Sequence, residues 1–151
     1  MTDRHKVIPA VYLVLVNSNE EVLLQKRQGT GYCDGMWGMV SGHIEAGESM
    51  VDGMIREAKE EAGFNIPAEE LQFGCMLHRK SDDGERVDLF FVWEPAHIPE
   101  IRIKEPEKCA ELKFFSIDEL PDNVIPYVEE ALECCGEGNP YFEYGWDESE
   151  R

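Results

Sequence analysis

A chain of 151 residues, 42% of them hydrophobic, suits one compact domain with a core of its own. Fourteen Lys and Arg stand against 32 Asp and Glu, a formal charge of −18. So acidic a chain argues against a nucleic-acid polymer or an anionic membrane as partner, because both need a basic footprint, whereas a phosphorylated small molecule screened by metal ions is still admitted.

The opening residues MTDRHK lead into only a short apolar run with no small-residue cleavage site, so no signal peptide is expected, and no stretch approaches a membrane span. Residues 7–16 (VIPAVYLVLV) are apolar on both alternating faces, which predicts a strand covered on both sides. Asn17-Ser18-Asn19-Glu20 reads as a turn and Glu21–Arg27 as the returning strand of a hairpin. The loop from Gly29 to Gly42 holds five glycines in fourteen residues, which lets backbone approach a ligand closely. Within it, Tyr32 is a candidate to stack on a base and Trp37 a candidate core residue.

Residues 49–62 read as a helix. Ser49 is its N-cap with Asp52 three residues on, and Gly63 is placed as the left-handed residue that ends it. Val51, Met54, Ile55, Ala58 and Ala62 form an apolar stripe for packing on a sheet. On another edge, Glu57, Glu60 and Glu61 fall at i, i+3 and i+4, a spacing at which like charges repel by about a few tenths of a kcal/mol per pair. A hard divalent cation turns that repulsion into a site, and Mg²⁺ takes a few carboxylates while keeping water and substrate phosphate as its other ligands.

Beyond the helix, Leu71–Arg79 and Arg86–Glu94 read as a second hairpin around the turn Ser81–Glu85. His78, Asp88 and Phe90 are its candidate substrate contacts, the last two on one strand face as lining for a base pocket. Residues 95–112 are irregular, a short strand follows at Leu112–Phe115, and Asp122–Cys135 reads as a helix with Pro126 in its first turn and Gly136 at its end. The tail 137–151 concentrates Tyr141, Phe142, Tyr144 and Trp146, so it is expected to pack on the domain 1–136 or across a homodimer. The cysteines, five in number and without C-x-x-C spacing, suggest neither a disulfide framework nor a zinc site, and fit a reducing, cytoplasmic compartment.

The segment Gly42, five residues, Glu48, seven residues, Arg56-Glu57-Ala58, one residue, Glu60-Glu61, one residue, Gly63-Phe64 resembles the Nudix box of the Nudix hydrolases. Seven identities and two apolar positions over twenty-three residues carry that resemblance; Val40, where such proteins often have proline, departs from it. The resemblance implies an α/β fold: an α/β/α sandwich with a mixed sheet between the box helix and a C-terminal helix. It implies hydrolysis of a phosphoanhydride in a nucleoside diphosphate-linked small molecule, with Mg²⁺ (or Mn²⁺) on Glu57, Glu60, Glu61 and the Gly42 carbonyl. Glu48 and Arg56 would lock loop to helix, Arg27 would meet substrate phosphate, and Glu105 or Glu107, with Glu111 behind them, would add a ligand or the base that activates water.

Three functions follow from the resemblance. The first is a MutT-like pyrophosphatase of canonical or oxidised nucleoside triphosphates. The second is a hydrolase of nucleotide sugars, CDP-alcohols or ADP-ribose. The third is a non-hydrolytic isomerase of an isoprenoid diphosphate or a nucleotide-binding regulator, against which the intact set of metal carboxylates argues.

Overall fold

A computed structural model describes residues 2–151. The described residues fold as a mixed α/β domain of eight strands and two α-helices, with three short 3-10 turns. A five-stranded sheet runs in the order β4 (Ser41–His43), β1 (Ile8–Leu15), β6 (Gly84–Trp93), β5 (Gln72–Ser81), β8 (Tyr141–Tyr144). A three-stranded sheet runs β3 (Trp37–Gly38), β2 (Glu21–Arg27), β7 (Cys109–Ser116). Strand β1 lies parallel to β6 and antiparallel to β4, and β5 is antiparallel to β6 and parallel to β8, so the larger sheet is mixed.

The double-faced pattern of β1 has a direct outcome. Ala10, Tyr12 and Val14 join one core with Phe90, Leu77 and Val128 of helix α2 (Pro126–Glu137). Val11, Leu13 and Leu15 join a second core with Met54, Ala58 and Ala62 of helix α1 (Met50–Ala62), together with Phe64 and Trp93. The sheet thus has one helix on each side, and β1 lies inside it, between β4 and β6, because both of its faces can be buried.

The expected hairpin of the first two strands does not form as a sheet pair. Both edges of β1 are taken, by β4 and β6, so β2 turns away after one bridge between Val16 and Val22 and pairs with β3 and β7 instead. Helix α1 has the expected ends: Ser49 accepts from the Asp52 N–H at 3.1 Å, and Gly63, at φ 73°, donates its N–H to carbonyls of the last turn. Helix α2 runs past the expected stop at Gly136 to Glu137. Its left-handed cap is Gly138, at φ 71°, and the Asn139 N–H closes on the Cys134 carbonyl at 2.9 Å.

The aromatic tail supplies β8, whose Phe142 is buried against Phe90 while Trp146 donates to the His78 carbonyl at 3.0 Å. No helix among the described residues is long and apolar enough to cross a membrane.

Candidate active site

Strand β4 and helix α1 meet where the box begins and ends. Gly42 lies beside Val11 in the sheet, and a side chain at this position would overlap the Glu57 carboxylate, so only glycine lets the helix carboxylate lie against the strand. One residue before, the Ser41 N–H donates to Glu61 Oε2 at 2.9 Å. These two contacts fix the acidic edge of α1 against the edge of the sheet.

Arg56 ties the loop to the helix. Its Nη2 and Nε donate to the two oxygens of Glu48 at 2.7 and 3.0 Å, Nη2 reaches the His43 carbonyl at 3.0 Å, and Nη1 donates to Glu57 at 2.8 Å and Glu60 at 3.2 Å. Two parallel hydrogen bonds to one carboxylate define an orientation as well as an attraction. Hydrogen bonding from Arg56 and from the Glu45 N–H holds the Glu48 carboxyl down at about 2.

Glu57 and Glu61 have the opposite electrostatics. Burial pushes the Glu61 carboxyl up to about 8 against the pull of the Ser41 N–H, and the charges of Glu57 and Glu105 add to the rise. Burial also raises Glu57, partly offset by Arg56. Among the described residues, no three His, Cys, Asp or Glu side chains are gathered into a ready-made coordination cluster. The contacts show why: Glu57 and Glu60 face Arg56, and Glu61 accepts from Ser41. The donor set nevertheless fits Mg²⁺ or Mn²⁺, because Arg56 only partly offsets the burial and mutual repulsion that raise Glu57, Glu61 has no ion-pair partner among the described residues, and carboxylate oxygens are what these hard ions take.

These carboxylates form one end of a cavity of about 1060 Å³. Arg27, Arg56, Arg79, Lys80, Arg86, Lys108 and Arg151 line it, seven of the fourteen Lys and Arg in the chain. A protein of charge −18 therefore gathers half its cations around one hollow, beside the carboxylates of Glu45, Glu57, Glu60, Glu61, Asp82, Asp83, Glu105 and Glu150. The other end is walled by Tyr12, Tyr32, Tyr127 and Arg79. Tyr32, carried by the glycine-rich loop, places its hydroxyl 2.9 Å from that of Tyr127 at the start of α2.

The expected site residues divide between this cavity and elsewhere. Gly42, Glu57, Glu60, Glu61, Arg27, Tyr32 and Arg56 line it, and Glu48 stands behind Arg56. Of the two later acids, Glu105 lines the cavity and its charge is felt by Glu57 and Glu61, while Glu107 is exposed and does not line it. Phe90 does not form a pocket wall: it is fully buried and its ring stacks on Tyr12 at 4.6 Å, because this stretch of the strand face is covered by α2. Asp88 is likewise fully buried and does not line the cavity; it binds Arg79, which does, at 2.8 Å. His78 lies outside the cavity, 3.3 Å from Glu85 and edge-on to Trp146, since its strand turns alternate residues to the opposite face.

Sequence reasoning missed Arg79, Arg86 and Tyr127. The signal for Arg79 was present in Asp88, a carboxylate in an otherwise apolar strand that could be buried only with a cationic partner.

A mixed sheet flanked by two helices thus brings a row of helix carboxylates, cationic side chains and tyrosines to one cavity. The chain belongs to the NUDIX domain family, which matches it over residues 6–133. Nudix hydrolase 2 of Arabidopsis thaliana is 35% identical over 79 residues, 52% of this chain and 28% of that protein. The 8-oxo-dGDP phosphatase NUDT18 of Mus musculus is 40% identical over 61 residues, 40% of this chain and 19% of that protein. This chain thus spans less than a third of the length of either relative. The solved MutT NUDIX hydrolase from Burkholderia pseudomallei shares the fold, with a TM-score of 0.77 and 22% identity over 85% of this chain and 98% of that one.

Proposed function

We propose that the protein hydrolyses a phosphoanhydride in a nucleoside diphosphate-linked compound, with a nucleoside triphosphate cleaved to monophosphate and pyrophosphate as the leading reaction. The observation that carries this reading is that one cavity is lined by the α1 carboxylates, by cationic side chains and by the contacting tyrosines Tyr12, Tyr32 and Tyr127. A metal-bound diphosphate suits the carboxylates and cations, and a base suits the tyrosines. The relative named as an 8-oxo-dGDP phosphatase supports a nucleotide substrate.

Glu57, Glu60 and Glu61, with the Gly42 carbonyl, would hold Mg²⁺ or Mn²⁺, which when bound neutralises phosphate charge and lowers the pKa of a water. The protein's own groups do the remainder. Arg27 and Lys108, both on the cavity wall, hold the phosphates against the acidic edge. Arg56 keeps Glu57 and Glu60 oriented through its hydrogen bonds at 2.8 and 3.2 Å. As water oxygen bonds to phosphorus and the anhydride P–O bond breaks, the Glu105 carboxylate accepts the proton and the leaving phosphate departs with the bonding pair. Glu105 suits the task because it faces Glu57 and Glu61 from a different segment of chain.

The test is a screen of nucleoside triphosphates, nucleotide sugars, CDP-alcohols and ADP-ribose with and without Mg²⁺, products resolved by chromatography. Metal-dependent monophosphate and pyrophosphate from a triphosphate is expected. Release of phosphorylated sugar or alcohol would shift the substrate class. Silence from folded protein would overturn hydrolysis.

A further inference from the structure

The tyrosine end of the cavity contains one group whose chemistry is restrictive. Arg79 is 5% exposed, yet it lines the cavity. Its Nε donates to Asp88 at 2.8 Å and its Nη1 to the Tyr32 hydroxyl at 3.3 Å, while Nη2 makes no hydrogen bond to any described residue. The guanidinium stacks over the Tyr127 ring at 4.3 Å. Burial works against its charge, and Tyr12, Asp88 and Tyr127 together outweigh that effect, so it stays cationic. A guanidinium presents donors only, and this one is clamped on its face by Tyr127, at Nε by Asp88 and at one Nη1 hydrogen by Tyr32, which leaves the edge carrying Nη2 without a partner among the described residues.

What meets that edge must accept hydrogen bonds. An anionic group is the weaker candidate, because the Asp88 carboxylate, fully buried, already matches the arginine charge. The surrounding surface is also wrong for a hydrated anion: Tyr12, Met36 and Met39 with Tyr32 and Tyr127 give flat, apolar and aromatic walls that suit a heterocycle. Bases differ on the relevant point. Guanine, hypoxanthine and uracil offer an oxo acceptor where adenine and cytosine carry an amino donor, and a donor facing a donor leaves both unpaired in a dry site.

We propose that Arg79, positioned by Asp88 and Tyr127, selects the base, so that this cavity takes nucleotides with an oxo-bearing base in preference to those with an amino-bearing one. The inference rests on the nucleotide reading of the cavity and not on turnover. Asp88 is a positioning residue here, and Arg79 is the group that touches the ligand.

The test is binding of GMP, AMP, UMP and CMP to the full chain in the presence of EDTA, followed by calorimetry or chemical-shift titration, which needs neither metal nor catalysis. Wild-type protein is expected to bind GMP over AMP by about tenfold or more, the scale of a two-point arginine contact to guanine O6 and N7, and UMP over CMP by about fivefold or more, since uracil offers O4 alone there. Arg79→Lys keeps the charge beside Asp88 but loses the fork; it is expected to reduce both ratios to within about threefold, without weakening AMP and CMP. Equal affinities within each pair in wild type would overturn the proposal, and that result does not depend on any variant folding. Ratios unchanged in Arg79→Lys, or a uniform loss across all four ligands, would also overturn it, the latter because it marks a phosphate contact or a structural role. Oxo-selective binding without turnover would leave this proposal standing and remove hydrolysis, while equal turnover of GTP and ATP would do the reverse.

Discussion

Arg56 grips Glu48 by two hydrogen bonds, 2.7 and 3.0 Å, and with its remaining nitrogen reaches Glu57 at 2.8 Å. One guanidinium thus connects the loop that precedes helix α1 to a carboxylate that would hold metal.

Two consequences for Glu48→Gln follow. The folded domain should persist, because the residue lies outside both cores, but affinity for Mg²⁺ should fall by about 10–100-fold as Arg56 and Glu57 lose their fixed orientation. The second concerns acid. In the folded protein Glu48 is held at about 2, below its ordinary 4.5, so the ion pair contributes stability in full above pH 4.5 and loses it as pH falls toward 2. Denaturant titrations at pH 6, 4 and 3 should show wild type losing more stability than the variant; parallel curves would contradict the assignment.

Glu61 gives a test in the opposite sense. Burial raises its pKa to about 8, so in metal-free protein the carboxyl favours folding when protonated and opposes it as pH rises from 4.5 through 8. Glu61→Gln should therefore melt higher than wild type at pH 8 in EDTA. Adding Mg²⁺ should raise the melting temperature of wild type and leave the variant nearly unmoved, as measured by calorimetry.

Glu105 and Glu107 are two residues apart and separate cleanly. Glu105→Gln should lower kcat by about 10²–10⁴-fold, the range for a proton-transfer group, with KM little changed. Glu107→Gln, on an exposed carboxylate outside the cavity, should turn over within about twofold of wild type. Steady-state kinetics on the two variants decides the matter, and equal losses would show that neither acts as base.

What the sequence made legible was local. The caps at Ser49 and Gly63, the acidic edge of α1 and the two-sided burial of β1 are set by residues within a few positions of one another, where periodicity and capping chemistry operate. The partners that make a cavity come from distant segments: Tyr32 meets Tyr127 across 95 positions and Arg79 meets Tyr32 across 47. Their meeting depends on β5 and β6 pairing in a register that places Arg79 opposite Arg86 and next to Asp88 on one face. Phe90 shows the limit from the other direction. Its strand face was readable, but whether α2 would cover that part of the face was not, and helix coverage turned a candidate pocket wall into core. The β1–β2 turn was also readable, yet nothing local indicated that β4 and β6 would occupy both edges of β1.

The central claim, metal-dependent hydrolysis at the acidic end of one cavity, is tested most directly by following product release from nucleoside triphosphates with wild type and Glu60→Gln in parallel, with and without Mg²⁺. Glu60 is exposed on the helix edge, so the substitution leaves the cores untouched and removes one oxygen donor. The account predicts turnover that requires Mg²⁺ in wild type and falls by orders of magnitude in the variant, with the fold unchanged by circular dichroism. Turnover in EDTA, or a Glu60→Gln enzyme as fast as wild type, would contradict it.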